Sequence, residues 1–133
     1  MSRSTRFSLS YEPADTSQPS IIFNELIDWI EAGYLEFYKP YTEVDAATYN
    51  VDEFDYILHV TYTATGTVAI TIPTALVVEG RRLVIKDTSN AGTYNITVDG
   101  EGGELLDGEA TQVISGDYDS MSLYSDGTNW FIF

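Results

Sequence analysis

The sequence predicts a mainly β protein: an N-terminal arm and a short α-helix, followed by a small antiparallel β-sandwich or β-prism head. Three observations carry that expectation. From residue 50 onward, apolar and polar residues alternate along short β-branched runs, the period of a half-buried strand. Turn residues punctuate those runs about every 8 to 14 residues, as at Thr65-Gly66, Glu79-Gly80, Asp107-Gly108 and Asp126-Gly127. Only one stretch, residues 21–38, carries apolar residues at helical spacing.

The first element is the arm, residues 1–20. Its "YEPADTSQPS" stretch combines Pro, Ser and Asp and reads as extended chain. The second is the helix in "IIFNELIDWIEAGYLEFY", where Ile22, Leu26 and Ile30 recur four residues apart on one face. Ser17 or Ser20 can supply its N-cap, and Gly33 ends or weakens it after Ala32. Phe23 and Ile27 lie off the Ile22–Leu26–Ile30 line, so the apolar surface is wider than one stripe. A helix apolar over that much of its surface needs partners on more than one side, supplied by its own domain or by copies of itself in a dimer or trimer.

The head, residues 39–133, follows. "YILHVTY" (56–62) sets Tyr56, Leu58, Val60 and Tyr62 against Ile57, His59 and Thr61. "TVAITI" (67–72) places Val68, Ile70 and Ile72 on one face, "RRLVIK" (81–86) does so with Leu83 and Ile85, and "YNITV" (94–98) with Tyr94, Ile96 and Val98. "MSLY" (121–124) and "WFIF" (130–133) complete the strands. Rich in Thr and Tyr and poor in large aliphatics, they suit a thin module whose core is completed by neighbouring chains.

Charge and composition narrow the function. The chain of 133 residues has six Lys+Arg against 21 Asp+Glu, a formal net charge of −15. Such a surface repels phosphate backbones, so no nucleic-acid partner is expected. Without cysteine there are no disulfides, thiol nucleophiles or thiolate metal sites. No stretch approaches 18 apolar residues, and the first ten lack a signal-peptide core, so neither a membrane partner nor export is expected. The charge is polar in its distribution: Arg3 and Arg6 precede any acid, whereas nine acids and no base follow Lys86.

The stretch "SNAGTYNITVDGEGGELLDGEA" (89–110) holds five glycines and five carboxylates, which raises the question of a metal loop. An EF-hand counted from Asp99 would need an oxygen ligand at its fifth position, glycine at its sixth and glutamate at its twelfth; it finds Gly103, Glu104 and Ala110. A non-standard Ca²⁺ site from Asp99, Glu101 and Asp107 is the alternative; the preferred reading is turns, with acids keeping an exposed loop soluble. No metal or other cofactor is therefore expected.

Catalysis has no positive sign. The single histidine, His59, sits in a strand out of phase with Leu58 and Val60, and a pair such as Asp117 and Asp119 is uninformative where acids abound. The ten tyrosines are read as half-buried strand packing, with interface anchoring or glycan stacking as the functional alternative.

The run "ITIPTALVVEGRRLVIKDTSNAGTYNITVDGEGGELLDG", followed by "YDSMSLYSDGTNWFIF", resembles the β-module of tailed-bacteriophage virion proteins, found in fibres, short head fibres and capsid decoration proteins. It covers roughly residues 67–133. "TSQPSIIFNELIDWIEA" also resembles the N-terminal helix of small phage structural proteins. The resemblance implies a homotrimer on the virion surface, assembled in the host bacterial cytoplasm, attached through its N-terminal part and presenting its β-head outward. It implies no catalytic residues. The chain has no long shaft, which favours a capsid decoration protein or short head fibre over a long fibre. The expected partners are other copies of the chain and the major capsid protein or another virion component, with Arg3, Arg6, Phe7 and Leu9 as the attachment residues. A fibre or tail tip module binding host-surface glycan is the alternative. A small polysaccharide-degrading enzyme would need two carboxylates facing each other across a cleft.

The helix generates a test. Replacing Leu26 and Ile30 with Asp should dissociate the oligomer or prevent folding, because Ile22, Phe23, Leu26, Ile27 and Ile30 form its apolar surface. An unchanged mass by light scattering would remove the helix from the interface.

Overall fold

The computed structural model describes residues 41–133 together with Glu25. The arm expected over 1–20 and the helix expected over 21–38, Glu25 apart, lie outside the described residues.

Nine strands follow one another: β1 (Tyr41–Val44), β2 (Thr48–Asn50), β3 (Ile57–Val60), β4 (Val68–Ile72), β5 (Arg82–Asp87), β6 (Ile96–Gly100), β7 (Thr111–Ile114), β8 (Ser120–Ser125) and β9 (Trp130–Ile132). Short 3₁₀ turns at Tyr62–Ala64 and Thr74–Leu76 interrupt the connections after β3 and β4. The strands form two sheets, one ordered β1-β3-β5-β8-β9 and the other β2-β4-β6-β7.

The antiparallel head expected from the sequence is corrected here: both sheets are mixed. The first six strands alternate between the sheets, so each strand lands parallel to its predecessor in the same sheet, β1 beside β3 beside β5 and β2 beside β4 beside β6. Parallel neighbours need a crossover connection, and here the crossover is itself a strand of the other sheet. Only β6–β7, β5–β8 and β8–β9 are antiparallel. The turns over residues 61–95, which an antiparallel head would make hairpins, are therefore corners between sheets.

Inner faces of both sheets follow the alternation in the sequence. Leu58 and Val60 of β3, Leu83 and Ile85 of β5 and Leu123 of β8 are buried, and so are Val68, Ile70 and Ile72 of β4 and Ile96 and Val98 of β6. They belong to one core cluster, closed by Leu106 from the loop after β6 and by Trp130 of β9. Each such side chain contributes roughly 1.5–3 kcal/mol on burial, which the ordering entropy of the chain largely offsets. The outer faces differ. The four-stranded sheet presents threonines, among them Thr71, whose hydroxyl donates to Asp99 Oδ1 at 3.0 Å. The five-stranded sheet presents Tyr41, His59, Arg82, Lys86 and Tyr124.

Trp130 is 1% exposed, yet its indole N–H has no hydrogen-bond partner among the described residues. A buried donor without an acceptor costs roughly 1–3 kcal/mol, so this ring is retained for its volume. Trp130→Ala should destabilise the head by roughly 3–5 kcal/mol. Trp130→Phe removes the orphan donor along with part of the ring and should cost far less. Urea unfolding of both variants checks this; equal losses would show that the indole N–H is bonded.

Candidate interaction surface

The carboxylates of the head hold its loops. Asp87, at the end of β5, is fully buried. It accepts from Thr63 Oγ1 at 2.7 Å, from the N–H of Tyr118 at 2.8 Å and from the N–H of Ala91 at 3.2 Å. Burial pushes its carboxyl up, but the Thr63 hydroxyl and the N–H groups of Tyr118, Ala91 and Ser89 outweigh that and hold it below the usual range. Tyr118, which donates one of these bonds, takes a left-handed backbone, φ 62°, a conformation that costs a non-glycine residue roughly 1–2 kcal/mol.

A second carboxylate serves the opposite end. Asp55, 5% exposed, accepts from Thr42 Oγ1 at 2.5 Å, from the N–H of Asp52 at 2.7 Å and from Tyr49 Oη at 2.8 Å. Burial, reinforced by the charge of Asp55, pushes the Tyr49 phenol well above its usual range, so it remains a donor. Arg81 closes the same loop by donating to the carbonyls of Glu53 at 2.6 Å, Asp55 at 2.7 Å and Asp52 at 3.2 Å.

The acidic loop is built in the same way. Glu101 accepts from Thr74 N–H at 3.2 Å, Glu104 from Gly102 N–H at 2.9 Å, and Asp107 from Ile132 N–H at 3.0 Å. Glu104 is lowered by the Thr74 hydroxyl and Asp126 by the N–H groups of Asn129 and Thr128. Of the candidate Ca²⁺ ligands, Asp99 and Glu101 thus bond to Thr71 and Thr74 at the end of β4, and Asp107 to Ile132 of β9. Among the described residues no three His, Cys, Asp or Glu side chains are placed to hold a metal ion. The Asp117 side chain is used in the same way, its Oδ1 accepting from Gly92 N–H at 2.8 Å, whereas Asp119 bonds through its main chain, its carbonyl accepting from Asp87 N–H at 2.9 Å.

Groups not consumed in this way gather on the outer face of the five-stranded sheet. Because Leu83 and Ile85 point inward, Arg82 and Lys86 point outward, and the register sets Arg82 opposite Tyr124 and Tyr124 opposite Phe131. The Tyr124 ring stacks on Phe131 with centroids 5.5 Å apart and meets Phe133 edge-on at 5.8 Å, while the Arg82 guanidinium lies 5.8 Å from the Phe133 centroid. Gly80, Arg82, Tyr124 and Phe133 line an open cavity of about 370 Å³. At the other end of the face His59 packs against Tyr41 at a tilt of 32°, centroids 4.6 Å apart, and lies between Glu43 and Lys86 in register. His59 is therefore an outward strand residue.

The tyrosines divide. Tyr49 and Tyr62 pack against the core, whereas Tyr41, Tyr118 and Tyr124 are exposed. The attachment residues Arg3, Arg6, Phe7 and Leu9, and the helix residues Ile22, Phe23, Leu26, Ile27 and Ile30, lie outside the described residues. The Arg82–Tyr124–Phe133 group was not singled out from the sequence. Its signal was the same alternation that places Leu83, Ile85 and Leu123 inward; the pairing that joins β5, β8 and β9 has no counterpart in the sequence.

The wiring of Asp87 sets a pH dependence. Its folded pKa lies below the unfolded value, so its stabilisation is fully present above about pH 4 and is lost as pH falls through the folded pKa. Asp87→Asn puts an amide among donors and should cost roughly 1.5–3 kcal/mol at pH 7, with a shallower loss of stability on acidification. Urea midpoints of wild type and variant from pH 7 to about pH 3 measure both; parallel curves would contradict the assignment.

No protein-family model matches this chain, and no curated protein matches it.

Proposed function

We propose that this chain is a structural protein of a tailed-phage particle: a homotrimeric capsid decoration protein or short head fibre, held by its N-terminal part with the β-head outward. One observation carries the reading. The stretch that resembles the phage β-module, residues 67–133, contains β4 to β9, the six strands that supply most of both sheets. Its Gly-rich and Asp-Gly segments form turns held by carboxylate-to-backbone bonds, as at Asp107 and Asp126. Loops locked this way suit a rigid exterior module that acts by position.

A second reading, a fibre or tail tip module binding host-surface glycan, is favoured by the aromatic outer face of the five-stranded sheet. Both place the β-head away from the particle.

Attachment tests the first reading. Residues 1–20 contain two of the six basic residues and few large apolar groups, chiefly Phe7, Leu9 and Tyr11. Arg3 and Arg6 pair with acidic groups on the particle, and Phe7 and Leu9 add apolar anchoring. Exposed ion pairs are weak singly, so threefold avidity supplies the holding power. Deleting residues 2–12 should leave a folded, soluble oligomer that no longer binds particles lacking the protein. If the truncated chain binds them as tightly as the full one, the arm is not the attachment device.

A further inference from the structure

From the outer face of the five-stranded sheet, we infer that the β-head binds a carboxylate-bearing saccharide chain, with Arg82 receiving the carboxylate and Tyr124 and Phe133 receiving the sugar rings. The inference rests on the glycan-binding reading and names the chemistry of its ligand.

Charge is the first argument. Residues 41–133 contain 15 Asp+Glu and only three Lys+Arg. Of the three cations, Arg81 is tied to main-chain carbonyls. The other two, Arg82 and Lys86, alternate with the core residues of β5 and face outward, with His59 beside Lys86. Glu43 is the one acid on the strands of this face. Of the acids off these strands, Glu79 adjoins Gly80 at the cavity rim, and at physiological salt the field of any acid fades over about 8 Å. A locally cationic strip on so acidic a head matches an anionic partner.

The second argument is shape. Sugar rings bind through their C–H faces to flat aromatic surfaces, with polar groups fixing their orientation. Tyr124, 40% exposed, and Phe133, 64% exposed, offer two such surfaces at an angle of 66°, beside a cavity of about 370 Å³. A guanidinium matches the planar geometry of a carboxylate and offers it two parallel N–H donors. The Arg82 guanidinium lies at the cavity wall, 5.8 Å from the Phe133 ring centroid.

The third argument is extent. Lys86 lies four residues along β5 from Arg82, about 13 Å at a strand's rise, and its ammonium donates to the Tyr118 carbonyl. Beside it stands the second aromatic pair, Tyr41 and His59. A ligand spanning both aromatic pairs is an extended chain of several sugars, with its carboxylates toward β5.

The test uses the full chain and hexamers of three carboxylated sugars: galacturonate, mannuronate and α2,8-linked sialic acid. Each is compared with its methyl-esterified, neutral counterpart by calorimetry. Binding of at least one acidic hexamer is expected, weakened about tenfold or more by Arg82→Gln, by esterification and by 0.5 M salt (roughly a 4 Å screening length). Tyr124→Ala with Phe133→Ala should abolish it, with circular dichroism unchanged because both rings are exposed. Equal binding of acidic and esterified hexamers would overturn the carboxylate assignment and leave the glycan reading standing. No binding of any hexamer would overturn both. Self-association that the same variants abolish would instead make this face a contact between copies of the chain.

Discussion

The buried carboxylate of Asp87 is the interaction on which the described fold depends. A chain that alternates between two sheets must cross the gap between them repeatedly, and each crossing exposes main-chain groups to an apolar interior. Three crossings meet at Asp87: the β3-to-β4 connection through Thr63, the β5-to-β6 connection through Ala91, and the β7-to-β8 connection through Tyr118. One ionised group satisfies donors from all three, and a charged acceptor makes each bond stronger than a neutral one would. Asp55 repeats the arrangement at the other end, where Thr42, Tyr49 and Asp52 converge and Arg81 braces the carbonyls. The core supplies the bulk of the stabilisation, and these two carboxylates decide the path of the chain around it.

Seen this way, the high acid content has a structural component. Main-chain N–H groups in tight turns need acceptors, and an aspartate or glutamate within reach supplies one without a long side chain to order. Asp107, Asp117 and Asp126 act through this geometry. Among the described residues the few cations are correspondingly conspicuous: Arg81 and Lys86 donate to main-chain carbonyls, and Arg82 stands with Lys86 on the outer face of the five-stranded sheet. Most of the charged residues of the head thus serve its construction.

The position of the strands explains how the aromatic group around Arg82 arises. Arg82, Tyr124 and Phe133 come from three places in the sequence and meet because β8 pairs with β5 on one side and β9 on the other. Edge strands are liabilities unless covered. Here the loop at Leu105–Asp107 covers β9: Trp130 N–H donates to the Leu105 carbonyl at 2.9 Å, and the Ile132 N–H donates to Asp107 Oδ1. The aromatic group at the end of β9 is thereby held on a fixed frame.

The sequence by itself determined that the head is β, which residues face inward and where the chain turns. Leu58, Val60, Ile70, Leu83, Ile85 and Ile96 were legible because a strand's period of two survives any arrangement of its neighbours. Strands β1, β2 and β7 were not, since they are three or four residues long with at most one buried apolar side chain each. Strand direction was not legible either. Tyr41 faces Ile57 and Ile57 faces Val84, steps of 16 and 27 residues, so successive turns of the winding differ in length and leave no repeat to find. Glycine and aspartate mark a corner between sheets as readily as a hairpin, so only the tertiary structure separated the two. It also decided the roles of the acids: an exposed loop carboxylate, a turn lock and a buried hub carry the same letter, and only the donors around each one distinguish them.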